Sequence, residues 1–552
     1  MKPLPIGIED YLTACGSYYV DKTLIIKDII DQYIGKSILI TRPRRFGKSL
    51  MLSMIDYFFN IKQKCFDAFK DKLIYSAGQK YMDKLNAYPV IHLNMKNITA
   101  DSYNALTFQA IDLISNIYRQ FPELINSTAL FDIEKEEYLQ IVNKRLEDPA
   151  LYITSILNLS NLLSKHYNQK VIILIDEYDA PLDAAFQKGF YDSAINFFKE
   201  FYSSTLKANQ YALFSIVSGV LQLSKESIFS GLNNLFVSSV VNQNFKSFFG
   251  FTANEVQAII DYYHLNTTID ELRKWYGGYG TKDLELFNPW SILYYAEERR
   301  LSPYWVNTGS TATIEKQITS TPDGIEKLNA FLNDEAKFFN FNNAISYRDL
   351  KPNYEVLFSL LVQTGFLVAS YDNCTNKYNL ELPNEEIRTV FEREIISRNT
   401  TEDFLSLASS LRMALLQGAD EEFSNLLQNY IISSYSYLDL TKEKDYQVMI
   451  VGLLSVLFDK YVVKSEVNSK RGRCDIMISP KKQNDIGIII ELKKYKNILN
   501  ATRLKNYAQN AIDQIKLNSY YDELKLRHCS RILLYGFAFD DKNLQIKHET
   551  IS

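Results

Sequence analysis

The chain has 552 residues, too many for one hydrophobic core, and its length alone predicts about three or four domains. Apolar residues at 46% and charged residues at 23% exclude a disordered or fibrous protein, and no apolar run approaches the roughly 18 residues needed to cross a bilayer. The 61 Lys and Arg against 65 Asp and Glu give a net charge of -4, so any nucleic-acid contact must depend on local basic surface.

The chain opens Met1-Lys2-Pro3 and soon reaches Glu9 and Asp10, with no uncharged stretch typical of a signal peptide. A cytoplasmic location without membrane attachment is the expectation. Tyr19-Val20-Asp21-Lys22-Thr23 follows and reveals no chemistry by itself. The apolar run Ser37 to Thr41 then leads into Arg42-Pro43-Arg44-Arg45-Phe46-Gly47-Lys48-Ser49 and a helical pattern from Leu50 to Phe59. This is a strand, loop and helix suited to a nucleoside triphosphate. Backbone N–H groups of Arg42, Arg44, Arg45, Phe46, Gly47 and Leu50 face the phosphates, Lys48 reaches their β and γ groups, and the Ser49 hydroxyl meets Mg²⁺. Arg42 stands where a glycine normally makes the turn, and Pro43 removes one donor. Arg44 and Arg45 flank the phosphates and are equally suited to neutralising them, meeting DNA or forming a solvated basic turn.

Pro89 to Leu93 and Val171 to Ile175 read as buried strands of a parallel sheet. The second ends in Asp176-Glu177-Tyr178-Asp179, at the edge where such sheets bind ligands. Asp176 is assigned to Mg²⁺ and Glu177 to the attacking water. Tyr211 to Val217 is a third strand, ending in Ser218, which either senses the γ-phosphate or caps the strand. Thr252 and Glu255 form a capping box for a helix reaching Tyr263. A helix from Glu355 to Val362, a hairpin through Gly365 to Leu382 and a helix capped by Asn384 resemble a winged-helix module with a packing or lid role.

Near the C-terminus, a helix from Tyr446 to Phe458 precedes two antiparallel strands, Arg473 to Ile478 and Gly487 to Lys493. Glu491 and Lys493 share a face of the second strand, and Leu492 turns to the core. Asp475 and Glu491 are candidate ligands for one or two Mg²⁺ ions, and Lys493 for positioning water and stabilising charge during phosphodiester hydrolysis. The five His and five Cys residues show no zinc-binding spacing, so metal binding rests on carboxylates and suits Mg²⁺ or Mn²⁺. Lys464, Lys470, Arg471, Arg473, Lys494, Lys496, Arg503 and Lys505, with Tyr495 and Tyr507, supply a basic and aromatic surface for nucleic acid, with DNA the expected partner. A helix from Asn506 to Tyr521 follows, and the strand Arg531 to Phe537 is expected to complete the sheet.

These motifs, together with Ser227 to Leu235, Trp275-Tyr276-Gly277-Gly278-Tyr279, Asn288-Pro289-Trp290 and Pro383-Asn384-Glu385-Glu386, resemble the AAA-ATPase-like proteins that carry a C-terminal PD-(D/E)XK nuclease domain. The resemblance covers nearly the whole chain. It implies an α/β multidomain protein: a P-loop NTPase parallel sheet in 1–285, a helical and winged-helix-like region in 286–395, a helical linker in 396–440 and a restriction-endonuclease-like α/β domain in 441–552. It makes Arg42 an ordinary residue of the loop and implies ATP and Mg²⁺ as cofactors. The implied activity is a DNA endonuclease whose cutting follows nucleotide state, in a component of mobile-element, defence or toxin-like type. A switch or scaffold that binds without cutting is the alternative. Two departures bear on that choice. Gln222 replaces an Arg common after the sensor strand, and Asn468 and Lys470 replace the Glu and first Gly of E-x-G-x-G-R-x-D. Glu466, on the same strand face as Asn468, is the substitute acid. Gln514 and Tyr520, both placed on the helix after the lysine, resemble residues of RecB-like nucleases that orient the site. Oligomeric state is not legible.

Overall fold

The computed structural model describes residues 1–552 except 208, 224–228, 230–233, 243, 282–283, 306–336, 340–353, 373–376, 392–401, 435–442, 455–459, 470–471, 496–500, 541–542 and 552. The chain divides into two compact units, Met1–Phe391 and Glu392–Ser552.

In the first unit, strands β1 (Ser37–Thr41), β2 (Val90–Asn94), β3 (Val171–Asp176), β4 (Ala212–Gly219) and β5 (Leu235–Ser238) form a parallel sheet in the order β2-β3-β4-β1-β5. Every residue of β1 and β3 is buried. That explains their continuous Ile and Leu runs, because a parallel strand is covered on both faces. Helix Lys48–Phe59 lays Met51, Leu52, Ile55, Phe58 and Phe59 into the same core as Ile38, Ile172, Phe214 and Ile216. Register aligns Ile40 with Ser218, Thr41 with Gly219 and Asn94 with Asp176, so the loops after β1, β3 and β4 emerge along one edge.

Three helices, Tyr103–Arg119, Asp132–Val142 and Ser155–Tyr167, lie between β2 and β3. Beyond β5 come β6 (Phe251–Thr252), β7 (Tyr279–Thr281) and β8 (Leu284–Phe287) as a small antiparallel sheet. Helices Ala253–Tyr263, Ile269–Tyr276 and Pro289–Glu298 pack Val256, Ile259, Leu272, Tyr276 and Ile292 beside them. The expected capping box is present, with Thr252 Oγ1 accepting from Glu255 N and Glu255 Oε2 from Thr252 N. A third sheet comprises β9 (Lys337–Phe339), β10 (Val368–Asp372) and β11 (Lys377–Glu381) in the order β10-β11-β9. Helix Tyr354–Thr364 leads into it, and helix Glu385–Val390, capped by Asn384, leaves it, giving the helix and hairpin of the winged-helix-like region.

The second unit is built on a mixed sheet in chain order: β12 (Tyr461–Ser469), β13 (Gly472–Pro480), β14 (Ile486–Tyr495), β15 (Arg531–Asp540) and β16 (Asn543–Ile551). β14 and β15 run parallel and the other pairs antiparallel. The parallel pair needs a crossover, supplied by helix Ala501–Leu517. One face packs Ile476, Ile490, Leu492 and Phe537 on Leu411, Leu415, Phe423 and Tyr446. The other packs Met477, Ile489 and Leu534 on Ile512, Ile515 and Leu524.

Two expectations are corrected here. β15 does not end the sheet, because Leu544 and Ile546 alternate with polar residues in a further edge strand. Tyr520 is not on the helix. The helix stops at Leu517 and Ser519 adopts a left-handed φ of 52°, which breaks the helical path. The linker turn Arg398 to Thr401, most of the Ser227 to Leu235 motif, and Lys470, Arg471 and Lys496 lie outside the described residues.

Candidate functional site

The loop between β1 and helix Lys48–Phe59 has the backbone that a phosphate cradle requires. Arg45 and Gly47 take left-handed φ values of 66° and 85° at a helix start, a conformation that can gather N–H groups around an anion. Lys48 is buried and its ammonium donates to the carbonyls of Arg42 and Pro43, both at 3.0 Å. Burial lowers its pKa, against the pull of Glu177, Asp176 and Asp179. Glu177 has a left-handed φ of 51°. Its carboxyl is raised by burial and by Asp176 and Asp179, while Lys48 and Lys96 oppose the shift.

The remaining predicted residues divide between the cavity and its frame. A cavity of about 340 Å³ is lined by Arg44, Arg45, Phe46, Gly47, Lys48, Ser49, Leu50 and Glu177. Arg45 stacks over Trp290 at 4.3 Å and lies 3.6 Å from Glu9. The guanidinium of Arg42 turns elsewhere, donating to Thr41 O, Ser238 O, Ser238 Oγ and Asn244 O at 2.8–3.1 Å. It clamps β5 to the start of the loop. Ser218 donates its hydroxyl to Asp176 Oδ1, so its hydrogen bond goes to the acidic residue. Gln222 is fixed through its backbone N–H, which donates to Gln363 Oε1 at 2.6 Å.

Several motifs that the sequence left unexplained are part of the frame. Asp179 Oδ2 accepts from Val220 N and Leu221 N at 2.9 and 2.8 Å, and Tyr178 OH donates to Leu221 O. A Cβ on Gly219 would sit 2.6 Å from both Asp179 Oδ1 and Tyr178 Cε1. Lys22 donates to both Glu255 oxygens, at 2.6 and 2.7 Å, while Asp21 and Thr23 accept from Leu73 N and Ile74 N. Glu386 is fully buried, accepting from Ser291 Oγ and from Trp305 N, and the Trp305 indole donates to the Arg44 carbonyl at 3.0 Å. Burial pushes Glu386 up to about 7. Sequence reasoning also missed the cavity's other wall, including Ile8, Tyr18, Val20, Phe251, Trp290 and Leu293. They come from three distant segments, and the motifs that include Val20 and Trp290 gave no sign of a shared wall.

In the second unit, β13 brings Asp475 beside Glu491, Leu492 and Lys493 of β14. Asp475 Oδ2 accepts the Leu492 N–H at 2.7 Å, which orients the carboxylate. Lys493 Nζ donates to Glu491 Oε1 at 3.0 Å, and Gln514 Nε2 donates to the same oxygen. Glu491 is only 1% exposed, and its other oxygen, Oε2, is buried without a hydrogen-bond partner among the described residues. Burial, then the charge of Asp475, pushes Glu491 up to about 7, with Lys493 opposing. Asp475 is also raised by burial. Lys493 stays raised because Glu491, Glu443 and Asp475 outweigh its desolvation. Glu443, from helix Glu443–Leu453, had no motif to mark it. It accepts from Lys494 N and acts electrostatically on Asp475 and Lys493.

An orphaned carboxylate oxygen within an acidic pair fits a hard divalent cation. No group of three or more His, Cys, Asp or Glu able to hold a metal occurs among the described residues. Asp475 and Glu491 are the described carboxylates that would hold it, and oxygen ligands of this kind suit Mg²⁺. The β12–β13 register pairs Ser465 with Ile476 and Val467 with Cys474, setting the backbone of Glu466 opposite Asp475. The side chains of Glu466 and Asn468 lie outside the described residues. Tyr520 is buried below the hairpin, its hydroxyl 2.7 Å from where a Cβ on Gly472 would lie, and it accepts from Asn518. Lys464, Arg473, Arg503 and Lys505 are exposed, and Tyr495 stacks on Tyr507 at 3.8 Å.

Residues 5–229 match the model of a predicted AAA-ATPase family, and residues 441–549 match that of the PD-(D/E)XK nuclease superfamily. An uncharacterized protein in the vnfD 5′ region of Azotobacter chroococcum mcd 1 is 25% identical over 410 residues, which cover 72% of this chain and 70% of that protein. No helix among the described residues is long and apolar enough to cross a membrane. The chain thus joins a predicted AAA-ATPase domain to a C-terminal domain of the PD-(D/E)XK nuclease superfamily.

Proposed function

We propose that the chain is a nucleotide-controlled, metal-dependent DNA endonuclease. The observation that supports the cutting activity is the Glu491 oxygen beside Asp475, unpartnered among the described residues, with Lys493 bonded to the opposite oxygen of the same carboxylate. Bound Mg²⁺ or Mn²⁺ supplies Lewis acidity and lowers the pKa of coordinated water. Asp475, aimed by the Leu492 N–H, and Glu491, aimed by Gln514, hold the cation. Lys493 orients the attacking water and offsets charge on the phosphoryl oxygens. The exposed basic residues and the Tyr495–Tyr507 stack offer a sequence-independent surface for the phosphodiester backbone.

In the first unit, the loop N–H groups, Lys48 and Ser49 hold the triphosphate of ATP, and Asp176 holds its Mg²⁺ with the help of Ser218. Glu177 orients the hydrolytic water. The apolar wall of the 340 Å³ cavity accommodates the nucleoside. Supercoiled plasmid and labelled RNA, each incubated with Mg²⁺ and wild type or Asp475→Ala, test the reading. Wild type should nick the plasmid and the variant should not. Equal cutting by both preparations would remove the enzyme reading, and cutting of RNA alone would change its substrate.

A further inference from the structure

A second, smaller cavity of about 40 Å³ shares only Phe46 with the nucleotide cavity. Its walls include Arg42, Pro43, Lys246, Phe249, Leu367 and Val368. Lys246 is only 4% exposed, and its ammonium has no hydrogen-bond partner among the described residues, although such a group carries three donors. Arg42, equally buried, donates to a hydroxyl and to carbonyl oxygens, all of them neutral. Two positive charges therefore meet in the interior, and neither has a carboxylate partner among the described residues. Burial and Arg42 lower the Lys246 pKa to about 8, which leaves the ammonium mostly charged at neutral pH.

A buried charge normally has a partner, and here the space for one is open. The volume accommodates about two or three waters or one small anion, too little for a phosphate ester. Apart from the two cations the walls are largely apolar, which favours an ion that sheds its hydration readily. We propose that this cavity binds a single weakly hydrated monovalent anion, chloride being the abundant example, on Lys246 beside Arg42. The ion would hold the first two residues of the phosphate loop against the segment Lys246 to Phe249 and the turn at Gly365. That turn already touches Pro43, whose Cγ lies 2.8 Å from where a Gly365 Cβ would be.

Thermal unfolding of the full chain without nucleotide, in sodium chloride and in sodium gluconate of equal ionic strength, tests the site with general screening held constant. Wild type should show a saturable rise of about 2–4 °C in chloride, and Lys246→Met should lose it. No chloride response in wild type, or the same response in the variant, overturns the proposal. If Lys246→Met fails to fold, crystals of the wild type soaked in bromide give a second reading. An anomalous peak within hydrogen-bonding distance of Lys246 Nζ supports the site, and its absence overturns it. Neither measurement involves the role of Lys48 in nucleotide binding, so failure here leaves that reading standing.

Discussion

Lys48 and Glu386 show two ways in which a buried ionisable group is kept in this protein. Lys48 spends its donors on carbonyls of its own loop. A triphosphate offers it charged acceptors, and charge-assisted bonds of that kind contribute about 1.5–3 kcal/mol. Lys48→Ala is therefore expected to weaken ATP binding roughly 10- to 100-fold by titration calorimetry, with little change in the unfolding temperature without nucleotide. Glu386 is the opposite case, a buried carboxyl raised by burial to about 7 from 4.5. Between those values the folded protein binds more protons than the unfolded chain, so this group makes stability fall as pH rises through the window, by at most about 3 kcal/mol. Glu386→Gln should flatten the decline in unfolding temperature between pH 5 and 7. An unchanged slope would show that Glu386 does not titrate there.

At the scale of elements, both candidate sites depend on close backbone approaches. A Cβ on Gly536 would lie 1.9 Å from the carbonyl of Ala508, so helix Ala501–Leu517 rests directly on β15, opposite Glu491 in the register. Gly536→Ala must lift that helix and with it Gln514, at a cost of about 1–3 kcal/mol. The expected result is a lowered unfolding temperature and lost cleavage with secondary structure retained by circular dichroism. What the sequence made legible were contiguous motifs on strongly patterned elements. The phosphate loop follows a buried strand, Asp176 and Glu177 end another, and Glu491 and Lys493 alternate on a third. Pairings between distant segments carried no such signal. Lys22 finds Glu255, Glu386 reaches Arg44 through Trp305, and Glu443 joins Asp475 only after the chain folds. β16 escaped notice because its alternation is brief, and the helix end before Tyr520 because Ser519 is an unusual residue at a left-handed position.

For the whole molecule, the proposed function requires a nucleotide site in one unit and a phosphodiester site in the other. The exposed Lys464, Arg473, Arg503 and Lys505 predict DNA binding that weakens steeply with salt. Replacing Arg503 and Lys505 with Ala should reduce the log–log salt slope by about 1–2 in fluorescence anisotropy with non-specific duplex. Nucleotide control predicts that the two sites are separable by mutation and coupled in function. The most direct measurement is plasmid cleavage by the full chain in Mg²⁺, with and without ATP, using wild type, Lys48→Ala and Asp475→Ala. Wild-type cutting should change with ATP, Lys48→Ala should cut at one rate in both conditions, and Asp475→Ala should cut in neither. Cutting that survives Asp475→Ala, or an ATP response that survives Lys48→Ala, would contradict the account.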